Sequence, residues 1–146
     1  MPFIQEISAS ATIPMRHIVL RHGKPIESCW FDGDELPSTF HFGYFDEDNL
    51  LGVISVFENQ NPKFFEEKQF QIRGMAVSPL YQKLGIGAQL VQFAEKEIAK
   101  KRGKIIWFNA RITTSEFYIK LNYNISGSVF DIKDVGLHYL MFRKLN

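Results

Sequence analysis

Apolar and polar positions alternate through Phe3-Ile4-Gln5-Glu6-Ile7, which predicts an opening β-strand. Ile13 to Leu20 then carries Met15, Ile18 and Val19 at helical spacing, so strand is followed by helix. From His22 to Pro37 no period holds. Gly23, Pro25, Gly33 and Pro37 stand among acidic residues there and predict a long irregular segment, a kind of loop that often belongs to a binding site. Phe40 to Phe45 and Leu50 to Phe57 flank the polar stretch Asp46-Glu47-Asp48-Asn49 and predict a β-hairpin. Gln69 to Val77 predicts another strand. Leu84 to Ala99 places Gly87, Leu90, Val91, Ala94 and Ile98 on one helical face, and Lys100, Lys101, Arg102 and Gly103 give that helix a basic end and a glycine stop. Lys104 to Asn109 reads as a short strand, Ser115 to Leu121 as a short helix, and Tyr123 to Asp131 and Leu137 to Arg143 as two closing strands around Gly136. Strands interrupted by helices early, midway and late predict an α+β protein with a mixed central sheet.

The chemistry gathers where Met75-Ala76-Val77 leads through Pro79 into Gln82-Lys83-Leu84-Gly85-Ile86-Gly87-Ala88 and the long helix. Backbone N–H groups at a helix start lack helical partners and carry the positive end of the dipole, so such a turn suits a pyrophosphate. A Walker loop is excluded, because Gly87 is followed by Ala88 and Gln89 where Lys and Ser or Thr would be needed. A dinucleotide fingerprint fits poorly: Leu90 stands at the third glycine, and Asn109 and Ala110 where an acid would end the next strand.

The pattern Gln/Arg-x-x-Gly-x-Gly/Ala fits at Gln82, Gly85 and Gly87. With Ile105-Ile106-Trp107-Phe108-Asn109-Ala110 and Phe117-Tyr118-Ile119-Lys120-Leu121-Asn122-Tyr123 downstream, the chain resembles the GNAT superfamily of acetyl-CoA-dependent N-acetyltransferases from about Phe70 onward. The resemblance implies a GNAT-like, acyl-CoA N-acyltransferase fold. It implies that backbone groups from Gln82 to Ala88, with Lys83, Leu84, Gly85, Ile86 and Gly87 between them, hold the pyrophosphate of acetyl-CoA. Met75, Ala76 and Val77 would run beside pantetheine on a strand splayed from its neighbour, with Asn109 near the thioester or pantetheine. It further implies that Tyr118 protonates the departing thiolate, although a tyrosine so placed also serves as packing.

The base is open at this level, because an alkylamine of pKa near 10.4 must lose a proton before attack. Gln69, Gln71 and Arg73 occupy the strand where some family members carry a glutamate. The alternatives are a water relay to Glu66 and Glu67, or a histidine, His41 or His138.

The remaining properties narrow the class. A length of 146 residues, 45% hydrophobic, predicts one domain spanning 1–146. With 17 basic and 16 acidic residues the formal charge is +1, which gives no global field for nucleic acid or an acidic membrane. A single cysteine, Cys29, and an N-terminus without the flank and core of a signal peptide predict a cytoplasmic protein. His17, His22, His41, His138 and Cys29 lack zinc spacing, so no metal is expected. The expected acceptor is a small-molecule amine or a peptide, and a homodimer stays open. Trp30, Phe31, Phe40, Phe42 and Tyr44 with Glu27, Asp32, Asp34 and Glu35 would suit a small cationic amine. Two other functions compete: a CoA-binding regulatory module without catalysis, and a histidine phosphatase suggested by Arg21-His22-Gly23, although that triplet follows a helical rather than a strand pattern.

Overall fold

Alternating sequence at the N-terminus forms β1 (Pro2–Ile7), and Ser8 then caps α1 (Ala9–Val19), its side-chain oxygen accepting from the Ala11 N–H at 3.3 Å. This computed structural model describes residues 1–145. The helix begins four residues before the apolar period that announces it, because the cap lies ahead of the first buried side chain. The hairpin follows as β2 (Phe40–Asp46) and β3 (Asn49–Phe57), and then β4 (Gln69–Val77). The long helix α2 (Ile86–Lys100) begins at Ile86 rather than Leu84, since Lys83 at φ 65° and Gly85 at φ 86° hold the preceding turn in left-handed conformations. β5 (Ile105–Arg111), α3 (Ser115–Lys120), β6 (Asn124–Ile132) and β7 (Gly136–Lys144) complete the chain.

The strands form one sheet in the order β1-β2-β3-β4-β5-β7-β6. Only β4 and β5 run parallel, and α2 makes the crossover between them. Their pairing is short: Gln69 with Ile105, Phe70 with Ile106 and Gln71 with Trp107. Beyond those three pairs both strands continue unpaired with each other, and the sheet opens.

Strand alternation divides the sheet into two chemically different faces. Ile54, Val56, Phe70, Ile72, Ile106 and Phe108 pack with Leu90, Val91, Ala94 and Ile98 of α2 in the main core. The opposite face carries Val53, Ser55, Arg73 and Ala76 beneath α1 and the 22–39 segment. Between Ser55↔Arg73 and Val53↔Ala76 the β3/β4 register shifts by one residue. The extra residue is accommodated at Gly74, at φ 66°, as a β-bulge. A Cβ on Gly74 would stand 2.9 Å from Phe31 Cε2 and 3.1 Å from Arg16 Nε, so the bulge also lets the irregular segment lie against the strand.

That segment hangs on a buried ion pair. Arg16 donates from Nη1 to Asp34 Oδ2 at 2.7 Å and to the Cys29 carbonyl at 2.9 Å, and from Nη2 to Asp34 Oδ1 and Ser55 Oγ, both at 2.9 Å. Burial pushes the Asp34 carboxyl up, but the Arg16 hydrogen bonds, the Phe31 N–H and the charge of Arg16 outweigh it and hold the group below its ordinary value of 3.8. A depressed carboxylate contributes stability that is present above the unfolded pKa and is lost as pH falls through the folded one. Asp34→Asn is therefore expected to lower unfolding free energy by about 2 kcal/mol at neutral pH, and by progressively less below pH 3.8, in urea titrations followed by circular dichroism.

Candidate active site

The opening between β4 and β5 is the entrance to a cavity of about 750 Å³. Its α2 side is built from the end of β4, the turn before α2, and α3. Met75, Ala76, Val77, Gln82, Lys83, Gly85, Ile86, Gly87, Ala88, Asn109 and Tyr118, the residues singled out in the sequence, all line this one cavity. Leu84 does not; its side chain is 65% exposed, and only its backbone belongs to the turn.

Several local features shape the turn. Gln82 Nε2 donates to the Val77 carbonyl at 3.0 Å, so this side chain fastens the turn to the strand end and leaves the backbone N–H groups for a ligand. A Cβ on Gly85 would meet only Gln89 Nε2, at 4.0 Å, which leaves open space over the first turn of α2. At Gly87 a Cβ would press on Met75 Cε and Phe117 Cζ, both at 3.3 Å, so glycine eases the close approach of α2 to β4 and α3. The helix has no side-chain cap, and its first N–H groups are therefore available to an anion.

Tyr118 projects from α3 onto Phe108, with ring centroids 4.4 Å apart, and also packs on Phe117 and Tyr123. Burial alone pushes its phenol up to about 12, so it carries its proton throughout the neutral range. The ring is thus both a packing element and a buried group that keeps its proton.

The other side of the cavity is polar. Arg111 and His138 are cross-strand partners on β5 and β7, and partners share a face. His138 Nδ1 lies 2.7 Å from the Gly136 carbonyl, which can only accept, so Nδ1 carries the hydrogen and Nε2 is the nitrogen left without a protein partner among the described residues. His138 is buried and lines the cavity. His41 is different. Its Nε2 donates to the Asp34 carbonyl at 2.8 Å, and its Nδ1 accepts from Ser55 Oγ at 2.7 Å, since that hydroxyl already receives Arg16. Both ring nitrogens are occupied, and His41 is part of the clasp on the 22–39 segment. Glu66 and Glu67 lie outside the cavity lining, and Glu66 Oε2 is paired with Lys144 at 3.5 Å. His22 is exposed in a turn and also lies outside the lining. Among the described residues no three His, Cys, Asp or Glu side chains gather into a set able to hold a metal ion, and no helix is long and apolar enough to cross a membrane.

The aromatic and acidic residues of the N-terminal half do not form the cationic-amine site that their composition suggests. Phe42 and Tyr44 belong to the core beneath α2, Phe40 lies under Lys101 Nζ at 3.8 Å, and Asp34 is consumed by Arg16. Phe31 alone of this group reaches the cavity, together with Arg21, Arg73 and Arg111. Strand alternation could have found Arg73, which shares a face with Gln69 and Gln71. Placing His138 required the β5/β7 pairing, which local sequence does not encode.

A mixed sheet parted between parallel strands, with an uncapped helix start at the parting and a protonated phenol beside it, defines an acyl-transfer architecture. Comparison with known proteins agrees. Residues 5–123 match the Acetyltransferase (GNAT) family. The chain is 31% identical over 142 residues, 97% of this chain and 95% of the relative, to the uncharacterized N-acetyltransferase YitI of Bacillus subtilis (strain 168). Among solved structures, an aminoglycoside 6'-N-acetyltransferase complexed with coenzyme A superposes with a TM-score of 0.77 at 18% identity, over 97% of this chain and 96% of that one. Escherichia coli ElaA superposes with a TM-score of 0.77 at 18% identity, over 99% and 100%. At these identities the two structures speak for the fold. The chain belongs to the GNAT family of acetyltransferases and is a GNAT-type N-acetyltransferase.

Proposed function

We propose that the protein transfers an acetyl group from acetyl-CoA to a primary amine held in this cavity. The observation that carries the reading is the glycine-bearing, uncapped start of α2 set at the parting of β4 and β5. The residues fit the donor: the open space over Gly85 admits a phosphate to the helix N–H groups, and β4 beyond Gln71 has no β5 partner for its backbone. When bound, acetyl-CoA supplies an activated acyl group as a thioester.

The transfer forms an N–C bond and breaks a C–S bond, so a proton must leave the amine and another must reach sulfur. On the α2 side, Tyr118 Oη holds the proton for sulfur. On the opposite side, His138 Nε2 takes the proton from the amine. Those backbone N–H groups of Met75 to Val77 that point away from β3 would face the acyl oxygen, each such donor being worth about 3 kcal/mol in related acyl-transfer sites. A thiol is already a fair leaving group near its reference pKa of about 8.5, so removing the acid is less costly than removing the base.

The test is thiol release from acetyl-CoA with a panel of amines. Tyr118→Phe is expected to lower kcat by about 10²-fold with acetyl-CoA affinity unchanged, because a proton delivered in the transition state contributes little to ground-state binding. Near-normal kcat would reduce Tyr118 to a packing residue. CoA binding without turnover of any amine would favour a regulatory module instead.

A further inference from the structure

We propose that the acceptor is an anionic amine, a primary amine that also carries a carboxylate or phosphate, recognised by Arg73 with Arg21 and Arg111 on the α1 side of the sheet. This inference rests on the acetyltransferase reading and names the substrate class of that site.

The cavity lining contains Arg21, Arg73, Lys83 and Arg111 and not one aspartate or glutamate. Lys83 belongs to the turn before α2, where a pyrophosphate accounts for a cation. The arginines lie elsewhere. Arg73 pairs with Ser55 across β3 and β4, on the face beneath α1, and Arg111 pairs with His138 on that same side of the opening. Arg21 follows α1 directly. None of the three has a carboxylate within 4.0 Å among the described residues, whereas buried Arg16, just behind them, has both oxygens of Asp34. Asp34 is engaged by Arg16; its charge and that of Asp32 act on Arg73 but are outweighed there by burial and by Arg16, and neither carboxylate lines the cavity.

Arg73 is also held for recognition. Its guanidinium lies over Phe31, 4.5 Å from the ring centroid, and near Phe57 at 5.4 Å. Stacking fixes the plane of the fork and leaves its N–H edge for an oxyanion. Burial, and then the neighbouring charge of Arg16, lower the Arg73 pKa from its ordinary value, a cost that an anion in the cavity would offset. A smaller hollow of about 230 Å³ shares Asn109 with the main cavity and adds Lys63, again with no carboxylate. A polyamine or other cation would meet repulsion on this side.

Three measurements decide it. Calorimetry with CoA should give Arg73→Gln and Arg21→Gln affinities within about threefold of wild type; a large loss there would reassign the arginines to the cofactor phosphates and overturn the inference. Titration of the CoA complex with glutarate, and separately with inorganic phosphate at constant ionic strength, should show binding that weakens about 10- to 100-fold in Arg73→Gln, as expected for losing a charge-assisted hydrogen-bond pair. The better ligand distinguishes carboxylate from phosphate. In thiol-release assays, glutamate should exceed its α-amide in kcat/KM, or phosphoethanolamine exceed ethanolamine, by a similar factor that collapses toward one in Arg73→Gln. Equal use of acid and amide, preferred use of spermidine, or no binding of either anion overturns the inference. Failure of wild type to bind CoA would instead sink the acetyltransferase reading, and titrating the free protein with glutarate still reads the arginine face.

Discussion

Gly85→Glu is expected to abolish CoA binding while leaving the fold intact. Gly85 adopts φ 86°, a region in which an L side chain costs roughly 1–2 kcal/mol. The space above it is open, so nothing in the protein obstructs a new side chain, and the core residues of α2 begin only at Ile86. The damage falls on the ligand: the carboxylate would occupy the volume over the helix start and set a negative charge against the pyrophosphate, a like-charge contact that costs several kcal/mol. A loss beyond about 10³-fold follows at 1.4 kcal/mol per decade. Calorimetric titration with CoA, alongside circular dichroism, reads both halves, and unchanged affinity in a folded variant would remove the turn from the cofactor site.

His138→Gln should lower kcat/KM by about 10³-fold, within the range for loss of a general base. The amide side chain can still sit beside the Gly136 carbonyl but offers no comparable proton acceptor to the cavity. Acetyl-CoA affinity should stay unchanged, since the ring is proposed to act on the amine. His41→Gln provides the contrast: its ring is tied to Ser55 and Asp34, so it should lose thermal stability while kcat/KM stays within a few-fold of wild type. Near-normal kcat/KM in His138→Gln would return the base to solvent.

Much of this was legible in the chain, and for local reasons. The presence and order of the hairpin, helices and strands follow from alternation, from the 3.6-residue period of Leu90, Val91, Ala94 and Ile98, and from the glycines around α2, while the helix starts are displaced by their caps and turns. The glycine turn was legible because it is contiguous: Gln82 to Ala88 fold it within a few residues. The opposite wall of the cavity is assembled from α1, the 22–39 segment, β4, β5 and β7, and no window of sequence contains it. Composition there was misleading. Asp34 reads as a ligand for a cation, yet its partner is Arg16, 18 residues away in the chain. His41 and His138 are alike in sequence context, and only tertiary hydrogen bonds separate a ring with both nitrogens tied from one with a single nitrogen tied.

Three residue pairs are all that join β4 to β5, so the molecule is two half-sheets, β1 to β4 and β5-β7-β6, meeting at a narrow seam bridged by α2 and α3. Backbone bonds that would ordinarily lace such a seam along its whole length are left to whatever lies in the gap. In the proposed reading a donor substrate seated there would act as a missing rung, linking the halves while its acyl end is presented between them, and part of the rigidity of the catalytic arrangement would be borrowed from the substrate.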